Sequence, residues 1–307
     1  MARSAAQAQD AHLERSQRND KIATGVLTLI VGLVMVIVVS MVLFILSQGI
    51  ETLFKPGFLT EASRANGTQG GVVYQLFDSF YLLILTLLIS LPISLGGAVF
   101  LVEYAPDGPI TSIASTAIET LSSLPSIVVG MFGFLVFSVN FGWKYSILSG
   151  AVALTMINIP ILVRVIQQAL EDVPASQRDA CLAMGLTRWE TTLNVLLPAA
   201  MPAIVTGVVI SAGRVFGEAA ALIFTSGSAA VRLNFASANP ASPTNPWNIF
   251  RPAETLAVHI WKLKMEPSPG NDAIVWGTAA VLIVCVLLFN VLARVLGKAL
   301  ARRLTSE

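Results

Sequence analysis

The stretch Asp179-Ala180-Cys181-Leu182-Ala183-Met184-Gly185, followed by Val195-Leu196-Leu197-Pro198, is a polar interruption between two very apolar segments. Its composition predicts a short helix with one face of small side chains, which can lie close against another protein. Those small residues are Ala180, Cys181, Ala183 and Gly185. Proline is tolerated in the first turn of a helix, so Pro198 predicts that a new helix begins there. We interpret the stretch as a docking element.

Two arginines and a tryptophan flank this element, at Arg178, Arg188 and Trp189. Arginine and tryptophan are both enriched at protein interfaces, where they supply charge and a large anchor. We therefore expect all three to face a polar partner. The alternative is an ordinary amphipathic loop that binds nothing.

The composition is that of a polytopic membrane protein. Apolar residues make up 55% of the chain and charged residues 12%, whereas a soluble domain carries roughly a quarter of charged residues. The net charge of +1 and the lack of a basic run give no reason to expect a nucleic acid partner. Cys181 and Cys285 show no ligand spacing, and we expect both to be free thiols.

Long apolar runs predict six membrane-spanning helices in an all-α integral membrane fold, because about 20 residues cross a bilayer core. The first run lacks a cleavage signature and is read as a retained helix, not a signal peptide. The predicted spans are 22–47, 73–104, 113–139, 146–166, 198–225 and 273–296.

The Lys/Arg bias of short flanking segments predicts the orientation. It places both termini and the docking element in the cytoplasm. The predicted organisation is a tail over 1–21, a core over 73–297 with a coupling loop at 167–197 and an external loop at 227–272, and a tail over 298–307.

The docking element resembles the EAA loop of ABC-importer permeases. Asp179 stands where that family usually has Glu, and Cys181 where it has Ala or Ser. The resemblance implies that the loop binds a groove of a cytoplasmic ATPase. The residues that it assigns to this coupling are Asp179, Ala180, Cys181, Gly185, Leu197 and Pro198.

Three further segments are similar to PstA-type phosphate permeases: Leu91-Pro92-Ile93 through Val102-Glu103-Tyr104, Leu124 through Gly130, and Gly213 through Ala220. The resemblance implies the type I ABC importer permease fold, a role in phosphate import and a place in the cytoplasmic membrane of a bacterial cell. It also implies four kinds of partner, namely a PstC-like second permease, two PstB-like ATP-binding subunits, a PstS-like external binding protein and membrane lipid. Within these segments we interpret Pro125 as a kink and Gly130 as a site of close helix packing, and the alternative is that they contact the substrate.

Arg214 and Glu218 lie near the middle of the fifth predicted span, where a charge costs at least about 2.5 kcal/mol. Their i, i+4 spacing predicts one shared helix face. In one hypothesis the two side chains pair and lock the bundle. In the other, Arg214 faces the substrate path and offers an anion a bidentate fork. Glu218 could accept the proton that phosphate retains.

Sulfate and molybdate permeases carry a similar Arg-x-x-Gly-Glu run, so the pair indicates an oxyanion and phosphate follows from the wider resemblance. A permease for another oxyanion is therefore the alternative. A stand-alone secondary transporter is a weaker one, since the two halves of the chain show no convincing repeat.

The Pro- and Asn-rich external loop fits contact with a binding protein. Its segment 253–263 is amphipathic, with Leu256, Ala257, Ile260 and Trp261 on one face, and predicts a helix at the membrane interface. His259 is expected to be an interfacial side chain and not a ligand.

The chain is not expected to be an enzyme. It contains no Gly-x-x-x-x-Gly-Lys-Ser/Thr motif, so ATP must be hydrolysed by a partner. Its two histidines, His12 and His259, lie far apart in sequence and form no catalytic or metal-ligand constellation. We predict no catalytic residue, no metal site and no cofactor.

Overall fold

Helices form nearly all of the regular structure in this computed structural model, which describes residues 2–64, 69–106, 108–237, 239–266 and 270–305. By internal contacts the chain divides into two units, Met1–Gln48 and Gly49–Glu307. In order, the helices are α1 (Ala2–Leu53), α2 (Val73–Val99), α3 (Pro109–Ser122), α4 (Ser126–Gly133), α5 (Ile147–Glu171), α6 (Ala175–Ala183), α7 (Arg188–Thr191), α8 (Leu197–Gly217), α9 (Ala220–Thr225), α10 (Leu256–Met265) and α11 (Asn271–Thr305).

Wider π-helical turns extend three of these helices: Phe100–Tyr104 continues α2, Phe134–Asn140 continues α4, and Thr192–Leu196 joins α7 to α8. A two-residue antiparallel ladder, β1 (Ser63–Arg64) with β2 (Gln69–Gly70), follows α1.

Five helices in the described chain are long and apolar enough to cross a membrane: Asn19–Leu53, Val73–Tyr104, Ile147–Glu171, Arg188–Gly217 and Asn271–Leu292. The bent pair Pro109–Ser122 and Ser126–Asn140 makes a sixth span if its two halves are counted as one. The predicted all-α integral membrane fold is confirmed.

The third predicted span is not one straight helix. Its two halves, α3 and α4 with its π-helical turn, meet at 97°. The bend falls before Pro125, whose backbone is extended (φ −60°, ψ 131°). Proline lacks a backbone N–H and disfavours helical geometry in the residue before it, so the chain cannot continue as an α-helix through Leu124 and Pro125. The interpretation of Pro125 as a kink therefore holds, with a larger angle than a kink implies.

The fifth predicted span, 198–225, is wrong at both ends. The helix begins at Arg188 and reaches α8 through a π-helical turn, and it ends at Gly217. Glu218 is extended, with ψ at 120°, and α9 is a separate short helix. Glu218 is therefore outside the helix that carries Arg214, and the predicted common helix face does not exist.

In the first unit, α1 presents a long apolar surface from Ile22 onward, and its described side chains there are mostly exposed. Such a surface suits lipid or another membrane helix.

The second unit contains two clusters of buried apolar side chains. One joins the first half of α2 to α5, α8, α9 and α10, through residues such as Leu82, Leu154, Phe216, Leu222 and Leu256. The other joins the end of α2 to α5 and the start of α8, through residues such as Ala98, Leu162, Ile166, Leu170 and Leu196. These clusters fix α8 against α2 and α5.

Gly130 allows α4 and α9 to approach closely. A Cβ atom at this position would lie 2.7 Å from the Cα of Ala221, a distance that real side chains do not tolerate. The interpretation of Gly130 as a packing residue is therefore supported.

The amphipathic helix predicted in the external loop is present as α10, but much of it packs into the protein, whereas Trp261 stays 43% exposed. Leu256, Ala257, Val258, His259 and Leu263 of α10 are all buried within the protein. His259 has no exposed surface, so its interpretation as an interfacial side chain is wrong. The apolar face of α10 packs against other helices of this chain, including α2 and α11. It is therefore buried inside the protein.

Candidate functional site

The docking element forms α6 and the turn that ends it. Gly185 follows the helix with φ at +88°, a conformation that glycine adopts without strain. The N–H of Gly185 donates to the carbonyl of Leu182 at 3.0 Å, and the N–H of Leu186 donates to the carbonyl of Cys181 at 3.2 Å. These two bonds form a Schellman turn, which explains why glycine occupies this position.

A capping box begins the next helix directly after that turn. The Thr187 side chain accepts from the N–H of Glu190 at 3.2 Å, and the Glu190 carboxylate accepts from the N–H of Thr187 at 2.8 Å. The backbone between α6 and α7 is thus fixed by the Schellman turn that ends α6 and the capping box that begins α7. Leu197 and Pro198 lie at the start of α8, and both are partly buried.

Most of the predicted coupling residues are accessible to a partner. Asp179, Ala180, Ala183 and Gly185 are exposed, whereas Cys181 is buried and faces the rest of the chain. Large apolar side chains stand beside them, with Met184 exposed to 74% and Trp189 to 57%. The segment therefore exposes mostly small side chains, with the large apolar side chains of Met184 and Trp189 beside them.

The two flanking arginines bind within the chain and do not simply face outward. Arg178 Nη2 lies 2.5 Å from Glu103 Oε1, and Arg188 Nη1 donates to the backbone carbonyl of Glu103 at 3.1 Å. Glu103 belongs to the π-helical turn at the end of α2. We expected both arginines to face a partner protein, but in the structure both contact the end of α2.

Arg214 lies in the last turn of α8, and not near the middle of a membrane span as predicted. It is exposed, and among the described residues it makes no hydrogen bond and no ion pair. A Cβ atom built on the neighbouring Gly217 would meet nothing within 4 Å, so the space beside Arg214 is open. An arginine in a membrane helix requires water, an anion or another subunit to balance its charge.

Glu218 caps α9 instead of pairing with Arg214. Its Oε1 accepts from the N–H of Ala221 at 3.4 Å, one of the N–H groups that a helix start leaves without a helical partner. The hypothesis that the two charges lock the bundle together has no support in the described contacts.

A buried polar triad fixes α8 one turn before Arg214. Asn158 of α5 donates to the Ser90 hydroxyl of α2 at 3.0 Å, and the Ser211 hydroxyl of α8 donates to the Asn158 carbonyl oxygen. All three side chains are almost completely buried. Hydrogen bonds between membrane helices hold their relative rotation, so the triad sets the direction in which Arg214 points.

An ion pair is buried between α2 and the segment before α10. Arg251 donates to both carboxylate oxygens of Asp78, at 2.5 Å and 3.2 Å, and both side chains are at most 2% exposed. Arg251 also donates to the carbonyls of Pro246 and Pro252. This fork fastens the external loop to α2.

A second polar cluster surrounds Glu254. Gln75 donates to its Oε2 at 2.9 Å, and its Oε1 lies 3.3 Å from His259 Nδ1 and 3.4 Å from Lys262 Nζ. Burial of Glu254 raises the pKa of its carboxyl, but the contact with His259, the charges of His259 and Lys262 and the hydrogen bond from Gln75 outweigh it. The pKa of Glu254 is therefore held below its usual range.

Within the described ranges, no group of three or more His, Cys, Asp and Glu side chains could hold a metal ion. Cys181 and Cys285 are free thiols, as expected.

The predicted site residues fall into two places. Asp179, Ala180 and Gly185 come together on one exposed segment, while Arg214 is exposed at the other end of α8, without a polar partner in the part of the chain that the structure describes. Sequence reasoning missed Asp78, a charge inside an apolar run, which is itself a signal of a buried partner or a functional site.

The profile of the family described as "binding-protein-dependent transport system inner membrane component" matches residues 93–306. The chain belongs to this family of transporter membrane subunits. It is therefore a transport subunit and a multi-pass protein of the cell membrane.

Among individual proteins, the chain is 48% identical to the probable ABC transporter permease protein YqgI of Bacillus subtilis (strain 168). That similarity covers 289 residues, 94% of this chain and 98% of YqgI. It is 30% identical to the phosphate transport system permease protein PstA of Xylella fastidiosa (strain 9a5c), over 74% of this chain and 75% of that one.

Solved structures support the fold. A bacterial alginate ABC transporter matches with a TM-score of 0.59 at 13% identity, over 90% of this chain and 93% of that one. The MetNI methionine ABC transporter matches with a TM-score of 0.54 at 19% identity, over 75% and 94% of the two chains. The resemblance to ABC-importer permeases is confirmed.

Proposed function

We propose that this chain is the permease subunit of an ATP-driven phosphate importer. The observation that carries the proposal is Arg214, an exposed arginine on a membrane helix with no hydrogen bond or ion pair among the described residues. Arg214 lies in the last turn of that helix, and a guanidinium there needs a polar path, an anion or another subunit to balance its charge.

The side chain of Arg214 suits an oxyanion in particular. Its planar fork of N–H donors matches two oxygen atoms of a tetrahedral anion, which an ammonium group cannot do. The space beside Gly217 leaves room for the anion to approach. A second permease would complete the path on the side that this chain leaves open.

The choice of phosphate rests on the relatives. Several PstA phosphate permeases are about as similar as the Xylella protein, including one of Yersinia pestis at 29% identity. Glu218 favours the same substrate, because phosphate near neutral pH retains a proton that a carboxylate can accept. In this proposal Glu218 caps α9 with one oxygen and has its other oxygen free for the path. Another oxyanion, sulfate or molybdate, is the alternative.

The driving force comes from ATPase subunits that bind the exposed segment around Asp179, Ala180 and Gly185, with Cys181 facing inward and Leu197 and Pro198 transmitting movement into α8. The sequence carries no P-loop of its own, which supports a separate ATPase. The transporter so composed holds a PstC-like permease, two PstB-like ATPases and an external PstS-like binding protein.

This assembly sets the orientation. The tails at 1–21 and 298–307 and the coupling loop at 167–197 lie in the cytoplasm, and the external loop at 227–272 faces the binding protein. The Lys and Arg residues of the two tails, with Arg164 next to the coupling loop, support the cytoplasmic side for these three segments.

Purification and reconstitution test the proposal. A tagged chain extracted in mild detergent should recover an ATPase and a second permease. Proteoliposomes holding the complex and the binding protein should take up radioactive phosphate when ATP is present, and not with a non-hydrolysable analogue. Uptake of sulfate or molybdate instead of phosphate would establish the alternative, and uptake without any ATPase would overturn the proposal.

A further inference from the structure

The coupling helix α6 is attached to the rest of the chain by few side chains. Within the described part of the protein, Cys181 is the buried residue of α6. A cavity of about 500 Å³ separates the helix from the end of α2, lined by residues of both, including Tyr104 and Leu182. Apolar packing therefore does not hold α6 against α2.

Glu103 bridges this gap with two different groups. Its carboxylate binds Arg178 of α6 at 2.5 Å, and its backbone carbonyl accepts from Arg188 of α7 at 3.1 Å. The two arginines lie on either side of the Gly185 turn. One residue of α2 is thus joined to the chain both before and after the turn that ends the coupling helix.

The position of Glu103 suits this role. It lies in the final turn of the α2 segment, where the last four carbonyls of a helix have no helical partner, and Arg188 satisfies one of them. A cation at a helix C-terminus is also favoured by the helix dipole. The Glu103 side chain is 4% exposed, so water screens the contact less than it screens a fully exposed ion pair.

We propose that Glu103 is a positioning residue for coupling: through Arg178 and Arg188 it transmits movement of the coupling helix to α2. The proposal rests on the docking of α6 to an ATPase proposed above. Without this link, the ATPases would still bind α6 and hydrolyse ATP, but their movement would reach α2 less completely.

The test uses the reconstituted complex with its binding protein and measures phosphate transported per ATP hydrolysed. Glu103→Gln preserves the side-chain volume and removes the charge. It should leave ATPase co-purification and basal hydrolysis unchanged and lower transport per ATP roughly fivefold, a size typical of coupling residues. Glu119→Gln is the matched control, because it breaks the Arg164–Glu119 pair between α3 and α5 and leaves α6 untouched.

Arg178→Gln should cause the same loss of transport per ATP. The double variant should lose no more than either single variant, because both changes remove the same Arg178–Glu103 ion pair. If Glu103→Gln transports like Glu119→Gln, or if its effect adds fully to that of Arg178→Gln, the proposal is overturned. Loss of ATPase from the Glu103→Gln complex would also overturn it, since Glu103 would then serve docking. Failure of the wild-type complex to bind an ATPase or to transport phosphate would contradict the proposed function instead.

Discussion

Arg251 and Asp78 are 173 residues apart in the chain and form a two-pronged ion pair that is almost completely buried. The pair joins the segment before α10 to the first half of α2. It has a specific consequence for stability, because a charge left alone in such a site has no solvent to balance it.

Asp78→Asn should therefore destabilise the protein by about 3–5 kcal/mol, the usual effect of removing one partner of a buried pair. The melting temperature of the purified protein in detergent measures this. Replacing both partners, as Asp78→Leu with Arg251→Met, should recover part of the loss, since no uncompensated charge remains. An Asp78→Asn variant that melts like the wild type would show that the pair does not hold the loop.

The lowered pKa of Glu254 predicts an acid-sensitive contribution to stability. A carboxyl whose folded pKa lies below its unfolded value of about 4.3 stabilises the fold fully above that value and loses the contribution as the pH falls through the folded pKa. The melting temperature of the wild type should therefore drop more between pH 5 and strongly acidic pH than that of Glu254→Gln. Glu254→Gln should be the less stable protein near neutral pH. If the melting temperatures of the wild type and of Glu254→Gln fall in parallel as the pH is lowered, this role of Glu254 is refuted.

Docking of the coupling helix should be blocked by a bulky side chain on its exposed surface. Ala183→Trp places an indole there without changing the backbone, whereas a bulky residue at Gly185 would also strain a turn at φ +88°. Ala183→Trp should abolish recovery of the ATPase with the tagged chain. Glu171→Trp, exposed at the end of α5, is the control and should retain it. Normal recovery with Ala183→Trp would remove α6 from the interface.

The topology is tested with single cysteines in a background that lacks Cys181 and Cys285. Thr187 and Ala241 are both exposed in the structure, so each replacement is open to reagent. A membrane-impermeant maleimide should label the cysteine at 241 in intact cells and the one at 187 only after the cells are opened. Labelling of both in intact cells would contradict the proposed orientation.

Hydropathy predicted where the membrane helices lie, because crossing a bilayer imposes a long apolar run that a sequence shows directly. The short helix α6 and the turn that ends it could be predicted for a similar reason, because small residues, glycine and proline restrict the local backbone. Gly185 is an example, as its positive φ is a property of one residue and its neighbours.

Other features depend on contacts between residues that are distant in sequence, and local sequence patterns could not predict them. The ion pair of Asp78, the triad of Asn158 and the burial of His259 each arise from helices that meet only in the folded chain. The break at Glu218 was missed because the apolar run continues through it into α9. Hydropathy detects such a run but not the backbone turn inside it.

Phosphate uptake by Arg214 variants tests the central claim most directly. In proteoliposomes with the partner subunits, at matched abundance, Arg214→Lys should lower uptake at least about tenfold, equivalent to about 1.4 kcal/mol, because the charge is kept and the planar fork is lost. The double variant Arg214→Gln with Glu218→Gln should not recover uptake, since the two side chains are not each other's partners. Uptake by the double variant near the wild-type rate would contradict the account and remove Arg214 from the substrate path.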